Sequence, residues 1–205
     1  MIYLGNGMYS DAGPSNELMH YGVLGMKWGV RQTRGIANQL DRYRTKGIKQ
    51  SLKSMYKSGQ ISKEEYQIAK IKNKGNLKRG LKDNKQNAKQ LKAMLRGDIK
   101  AGKTKGVKAR SLRDNAYASA EKMMPGFKNV EDKRKAMGRN HALFGTLGST
   151  LSSGPYYDAY NYMIKANRSN FDNAAKQLVK PQYSESDDWK VIGEYYSRNQ
   201  KKKKK

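Results

Sequence analysis

Between Lys70 and Lys92 the chain carries nine basic residues (Lys70, Lys72, Lys74, Lys78, Arg79, Lys82, Lys85, Lys89 and Lys92) against a single acid, Asp83. Through the same run Leu77, Leu81, Asn84, Ala88, Leu91 and Leu95 recur at steps of 4, 3, 4, 3 and 4. That spacing is helical, with one narrow apolar seam. It amounts to about two and a half heptads, short of the three to four that a sustained coiled coil needs. The seam therefore suits a contact within a helical hairpin or a weak oligomer contact. Gly75 and Gly80 each weaken a helix by roughly 1 kcal/mol and can break this one in two. A solvated structural helix usually interleaves charges of both signs. One sign on the outward faces points to a polyanion.

The start of this helix is written in the sequence. Ser62-Lys63-Glu64-Glu65 has the form of a capping box, with the Ser62 hydroxyl toward the Glu65 N–H and the Glu65 carboxylate reaching back. Two acids in the first turn also suit the helix dipole. Before it, Ile36, Leu40 and Tyr43, then Ile48, Leu52 and Met55, give a second helical pattern from about residue 33 to 58, closed at Ser58-Gly59-Gln60.

Charge elsewhere repeats the theme. The 205 residues hold 43 Lys and Arg against 17 acids, a net charge of +26, with 36% hydrophobic residues. Self-repulsion of this size opposes compaction and favours a polyanionic partner, nucleic acid being the usual one. The plain alternative is that the charge serves solubility. With no cysteine there is neither a disulfide nor a thiolate metal site. Met1 to Gly13 lacks a basic segment followed by an apolar one, so no secretory signal is expected. No run of 18 apolar residues exists to suggest a membrane span.

The least chance-like run is His20-Tyr21-Gly22-Val23-Leu24-Gly25-Met26-Lys27-Trp28-Gly29-Val30-Arg31. Its glycines argue against helix, so we expect a compact loop or irregular hairpin with Trp28 as anchor. A local turn packing Trp28 is the bland alternative. The pattern of His20, Gly22, Gly25, Met26, Lys27, Trp28, Gly29 and Arg31 resembles a short element that recurs in virion-associated, head-region proteins of tailed bacteriophages and prophages. The resemblance covers a dozen residues. It implies a docking or incorporation element that meets phage structural (capsid or portal-region) proteins. It also implies residence in the phage particle, and in the bacterial cytoplasm during assembly.

The remaining segments follow in order. Residues 1–16 are turn-rich, with a helical turn expected from Ser15 to Met19. Residues 98–108 read as a basic linker. Within it Gly97-x-x-x-x-Gly102-Lys103-Thr104 matches a phosphate-binding loop in form, but a lysine-rich helix precedes it where a buried strand is required. Ala109 to Met124 reads as a third helix with Ala116, Ala120 and Met123 on one face, ended by Pro125-Gly126. A short charged helix is expected from Val130 to about Arg139. From Asn140 to Tyr157 no Asp, Glu, Lys or Arg occurs, and Gly145, Ser149 and Ser153, like Gly148 and Ser152, are spaced by four. Such spacing permits close helix approach. The segment reads as packing helix or loop, with a partner-facing or membrane-seeking role as the alternative. Pro155 is expected to open a helix carrying Tyr156, Tyr157, Tyr160, Tyr162 and Met163, an aromatic patch for core or interface. Phe171 to Val179 is a short amphipathic helix. An acidic run, Ser184 to Asp188, precedes a final helix with Trp189, and Lys201, Lys202, Lys203, Lys204 and Lys205 form a tail that cannot pack.

No catalytic constellation stands out. His20 and His141 lie far apart, and the acids at Glu64-Glu65, Glu131-Asp132 and Glu185 to Asp188 read as helix caps. No enzyme activity and no cofactor or metal are expected.

The sequence thus predicts a mostly α fold of several short to medium helices, loosely packed, with a glycine-rich motif loop and a disordered basic tail. Its divisions are 1–32, a basic helical hairpin over 33–97, the linker 98–108, a C-terminal helical region 109–200 and the tail 201–205. The expected role is that of a non-enzymatic virion protein touching nucleic-acid phosphates without sequence readout, through the nine basic residues and the lysine tail. One rival is a scaffold or internal head protein that binds acidic capsid surfaces and self-associates. Another is a genome-ejected protein that touches membranes through residues 140–164, although membrane contact is not the expected partnership.

Overall fold

The structure is a computed structural model that describes residues 2–3, 9–10, 23–101, 109–180 and 193. Among them the fold is mostly α, as expected, with five helices. These are α1 (Val23–Lys57), α2 (Lys63–Lys100), α3 (Ala109–Met123), α4 (Phe127–Ala166) and α5 (Arg168–Val179). Two strand stubs, β1 (Ile2–Tyr3) and β2 (Tyr9–Ser10), pair antiparallel near the start of the chain. The expected turn at Ser15–Met19, the final helix with Trp189 and the lysine tail lie outside the described residues.

α1 is the central helix, packed against α2, α3 and α5. Its expected face holds: Ile36, Tyr43, Ile48 and Leu52 are buried and Leu40 and Met55 pack against them. Gly59, at φ 73°, turns the chain out of α1 as a helix-ending glycine should. The Gln60 N–H donates to the Met55 carbonyl at 3.0 Å. The capping box then forms as read. The Glu65 N–H donates to Ser62 Oγ at 3.1 Å and the Ser62 N–H to Glu65 Oε2 at 2.7 Å.

α2 returns antiparallel to α1. Asn73 Nδ2 donates to the Thr45 carbonyl at 3.0 Å, and Asn84 Nδ2 donates to Asp41 Oδ2 at 2.7 Å. The helix starts at Lys63 as expected, neither Gly75 nor Gly80 interrupts it, and it runs beyond the expected end at Leu95, through Gly97 to Lys100. Gly80 is a point of close approach, where an added Cβ would lie 2.8 Å from the Asp41 carboxylate. Lost propensity is offset there by the helix contact that only glycine permits. The helical Gly97–Lys100 also means that no strand and tight loop precede Gly102-Lys103-Thr104, and the first part of the expected linker is helix.

α3 starts where expected and ends one residue earlier, at Met123; Tyr117 and Ala120 are its buried residues, Met124 is buried just beyond its end, and Met123 is exposed. α4 departs most. It starts at Phe127, and Pro155 lies inside it rather than opening a helix. It is also not one rod: Gly145, at φ 61° and ψ −147°, reverses the chain. Asn140 Nδ2 donates to Ser152 Oγ across the reversal. A Cβ on Gly148 would sit 2.3 Å from the Asn140 carbonyl oxygen, and one on Gly126 would sit 3.3 Å from Met163 Cα. The two arms, 127–144 and 146–166, thus form an antiparallel helical hairpin. The small residues Gly148 and Ser152 serve its close approach, as their spacing suggested.

The hairpin's base enters the core through Phe127, Val130, Ala159 and Met163. Two polar devices hold that base. Glu121 caps the first arm, accepting from the N–H groups of Gly126 at 2.7 Å and Lys128 at 2.8 Å. Asn167, buried between α4 and α5, donates through Nδ2 to the carbonyls of Pro125 at 2.9 Å and Met163 at 2.7 Å.

Candidate functional site

The basic residues of α2 lie where the sequence places them. Lys70, Lys74, Lys78, Arg79, Lys82, Lys85 and Lys89 are exposed, and Lys72 and Lys92 are half-buried. Helical geometry sorts them further. At about 100° per residue, Lys70, Lys74, Lys78, Lys82, Lys85, Lys89 and Lys92 fall within a stripe roughly 120° wide. Lys72 and Arg79 point elsewhere, Arg79 Nη2 donating to Asn76 Oδ1 at 2.7 Å. The stripe runs about 33 Å along the helix. Asp83, exposed, projects about 160° away from its centre. Ion pairs among the described residues include those of Arg110 and Arg113 with Asp114, Arg134 with Glu131 and Arg168 with Asp172, and none of these four involves a stripe lysine. The stripe persists because α2 buries only its other side. Ala69, Asn73, Gly80 and Asn84 face α1, and Leu77, Leu81, Ala88, Leu91 and Leu95 are half-buried beside them.

The glycine-rich motif is corrected by the structure. It is not a loop: α1 begins at Val23, so Gly25, Met26, Lys27, Trp28, Gly29 and Arg31 all lie in its first three turns. His20 and Gly22 fall outside the described residues. Nor is Trp28 a buried anchor, since it is 54% exposed. Arg31 lies over its ring, 5.5 Å from the centroid, one turn further along the helix. Gly29 and Val30 are buried instead. One physical reason outweighs the glycine penalty. A helix already nucleated over its later turns propagates at little cost per residue. Further along α1, Gly47 is a point of close approach, where an added Cβ would lie 2.4 Å from the Phe171 ring.

A family model for a family of unknown function (DUF7211) matches residues 11–35, which include this motif and the first turns of α1. No curated protein and no solved structure matches the chain.

One constellation escaped the sequence reading. Glu131, expected as a helix cap, is 2% exposed in the core. Tyr43 Oη donates to its Oε1 at 2.9 Å, while Arg134 Nε and Nη2 grip Oε1 and Oε2, each at 2.9 Å. Phe127 and Tyr160 crowd the Tyr43 ring, with centroids at 5.9 and 6.0 Å. Burial, reinforced by the Glu131 carboxylate, pushes the Tyr43 hydroxyl far above the usual phenol range. Every buried side-chain polar atom of this group has a partner, which identifies it as a cross-brace between α1 and α4. The Glu131–Arg134 spacing of three was visible in sequence. The tyrosine 88 positions away was not.

The aromatic patch divides likewise. Tyr156 and Tyr160 pack against the core with Met163 buried beneath, while Tyr157 and Tyr162 face outward. A groove of about 530 Å³ over α1, α2 and α5 is lined by Leu40, Asp41, Arg44, Asn84 and Phe171 among others. Its one carboxylate, Asp41, is already engaged by Asn84. Among the described residues no three His, Asp or Glu side chains converge as a metal site would require.

Proposed function

We propose that this chain is a non-enzymatic virion-associated structural protein that holds packaged nucleic acid by its phosphates and docks through the helical segment around Trp28 and Arg31. The observation that carries the first half is the lysine stripe of α2. It offers seven cations over about 33 Å, with no acid between Lys70 and Lys92 on that face. Lysine heads at helical spacing are point charges on flexible stems, suited to phosphate and poor at reading base edges. Binding through them is driven by counterion release and carries no sequence preference.

The second half rests on the resemblance of His20 to Arg31 to the phage head-region element, and on an exposed tryptophan with an arginine over its face. Trp and Arg are the residue types that dominate protein–protein contacts.

Mass spectrometry of purified particles tests the reading. The protein is expected in wild-type particles and absent when a Trp28→Ala, Arg31→Ala double variant is expressed at the same level. Equal packaging of both removes the docking role. A protein missing from every particle removes the virion reading. A chain found in particles that shows no affinity for nucleic acid transfers the stripe to acidic capsid surfaces, the scaffold reading.

A further inference from the structure

The hairpin of α4 ends in a charge-free apolar tip. Leu143 and Phe144 on one arm and Leu147 and Leu151 on the other are between 68% and 74% exposed. They bracket the Gly145 turn along the chain. Between the last buried side chains of the two arms, Glu131 and Ala159, and that turn lie about 20 Å of helix. The tip therefore projects from the body.

We infer that this tip inserts shallowly into the hydrocarbon edge of an anionic lipid bilayer. Three observations select lipid. First, three hydroxyls at and just below the tip are bonded within their own arm. Thr150 Oγ1 donates to the Thr146 carbonyl at 3.0 Å, Ser152 Oγ to Gly148 at 2.9 Å and Ser153 Oγ to Thr150 at 2.7 Å. Lipid supplies no hydrogen-bond partner, so hydroxyls and backbone entering it must be paired internally. Second, the order of residues along the hairpin matches the order of layers in a membrane. Leu151 and Arg139 each lie six positions from Gly145. The four apolar side chains thus occupy about the outermost 9 Å, the depth that interfacial helices reach, and Arg139 meets the headgroups. His141 is the one titratable side chain between Arg139 and Tyr156. Third, charge favours an anionic surface over a second copy of this chain. Below the tip the arms carry exposed Lys133, Lys135 and Arg139 against Asp132 and Asp158, on a protein of net charge +26. Two such tips meeting would bring like charges together. None of the described helices is long and apolar enough to cross a membrane, so the contact is peripheral.

The chain has no cysteine, which permits site-specific labelling. Full-length Leu147→Cys and, on the exposed side of α5, Lys176→Cys would each carry an environment-sensitive fluorophore. They are mixed with vesicles of phosphatidylcholine containing about 30% phosphatidylglycerol, the lipid charge that basic segments seek. The label at 147 is expected to shift to the blue and to be quenched by spin-labelled acyl chains, while that at 176 stays in water. Vesicle co-sedimentation is repeated in about 0.5 M salt, where exposed charges are screened. There the Phe144→Asp, Leu147→Asp variant is expected to bind at least about 100-fold more weakly than wild type, since two large apolar groups are withdrawn. Both positions are exposed, so the variant folds, which circular dichroism checks. Vesicle binding that leaves the label at 147 in water overturns the inference and assigns attachment to the lysines. Loss of a lipid-free dimer in the variant, seen by sedimentation, assigns the tip to self-association. An unchanged affinity in high salt overturns it outright.

Discussion

Salt dependence puts a number on the lysine stripe. If Lys70, Lys74, Lys78, Lys82, Lys85, Lys89 and Lys92 each neutralise one phosphate of a duplex, the plot of log affinity against log salt has a slope of about −6. Between 50 and 200 mM salt, affinity then falls on the order of 10⁴-fold. Changing Lys78, Lys82 and Lys85 to Gln leaves four contacts, a slope of about −3.6 and a fall of about 150-fold over the same interval. The control removes the same charge elsewhere, through Lys122, Lys128 and Lys133 to Gln on α3 and α4, all exposed. That triple should keep the wild-type slope. Surface substitutions of this kind change stability by about 0.5 kcal/mol or less, so both variants remain folded. The assay is fluorescence anisotropy on a duplex of about 20 base pairs, titrated at several salt concentrations, with a second duplex of unrelated sequence binding equally well. Equal loss of slope in the two triples refutes the stripe in favour of diffuse charge. A stripe triple within about 0.5 of the wild-type slope refutes it as well.

The helix glycines make opposite predictions at two sites. Gly47→Ala drives a Cβ to 2.4 Å from the Phe171 ring and should cost about 1–3 kcal/mol, whereas Gly75→Ala meets nothing within 4 Å and should gain up to about 1 kcal/mol, both read by chemical denaturation. Arg134→Met strands the Glu131 carboxylate with Tyr43 alone and should destabilise by about 3 kcal/mol, discounted from the fully buried case because the arginine is 39% exposed. Tyr43 has its folded pKa raised, so its stabilisation is whole below the ordinary phenol value and is lost as pH climbs toward the folded one. The Tyr43→Phe variant should therefore show a shallower fall in Tm above about pH 10 than wild type. Hydrogen bonds from Ser62 hold Glu65 below the usual carboxylate range. A carboxyl-detected NMR titration should find that depression in wild type and lose it in Ser62→Ala, with stability that depends on it present above the ordinary pKa and lost as pH falls.

Local chemistry made much of this fold legible. The capping box at Ser62 and Glu65, the stop at Gly59 and the apolar steps of α1 and α5 depend on neighbours within a turn or two, and each formed where its residues required. The exposure of the α2 lysines follows from the same logic, since a helix with nine cations and one apolar seam has only one side to bury. Glycine was the misleading signal. Its intrinsic helix penalty argued for a loop at residues 20–31, yet from Val23 onward that segment is helical. Propensity is a local average, while close approach of another element is decided by the whole packing. Gly47 under Phe171 and Gly80 beside Asp41 serve that approach.

What the amino-acid sequence determined by itself is therefore the helical class, the ends of the α1–α2 turn and the sign and placement of surface charge, because these follow from the preferences of residues close together along the chain. Tertiary structure alone decided that α1 lies at the centre and that Glu131 is a buried brace between Tyr43 and Arg134. It also decided that the charge-free segment folds back at Gly145 to expose Leu143, Phe144, Leu147 and Leu151 at its tip. Those features depend on contacts between residues far apart in the chain, and the pairing of distant surfaces leaves no periodic mark in either partner's own segment.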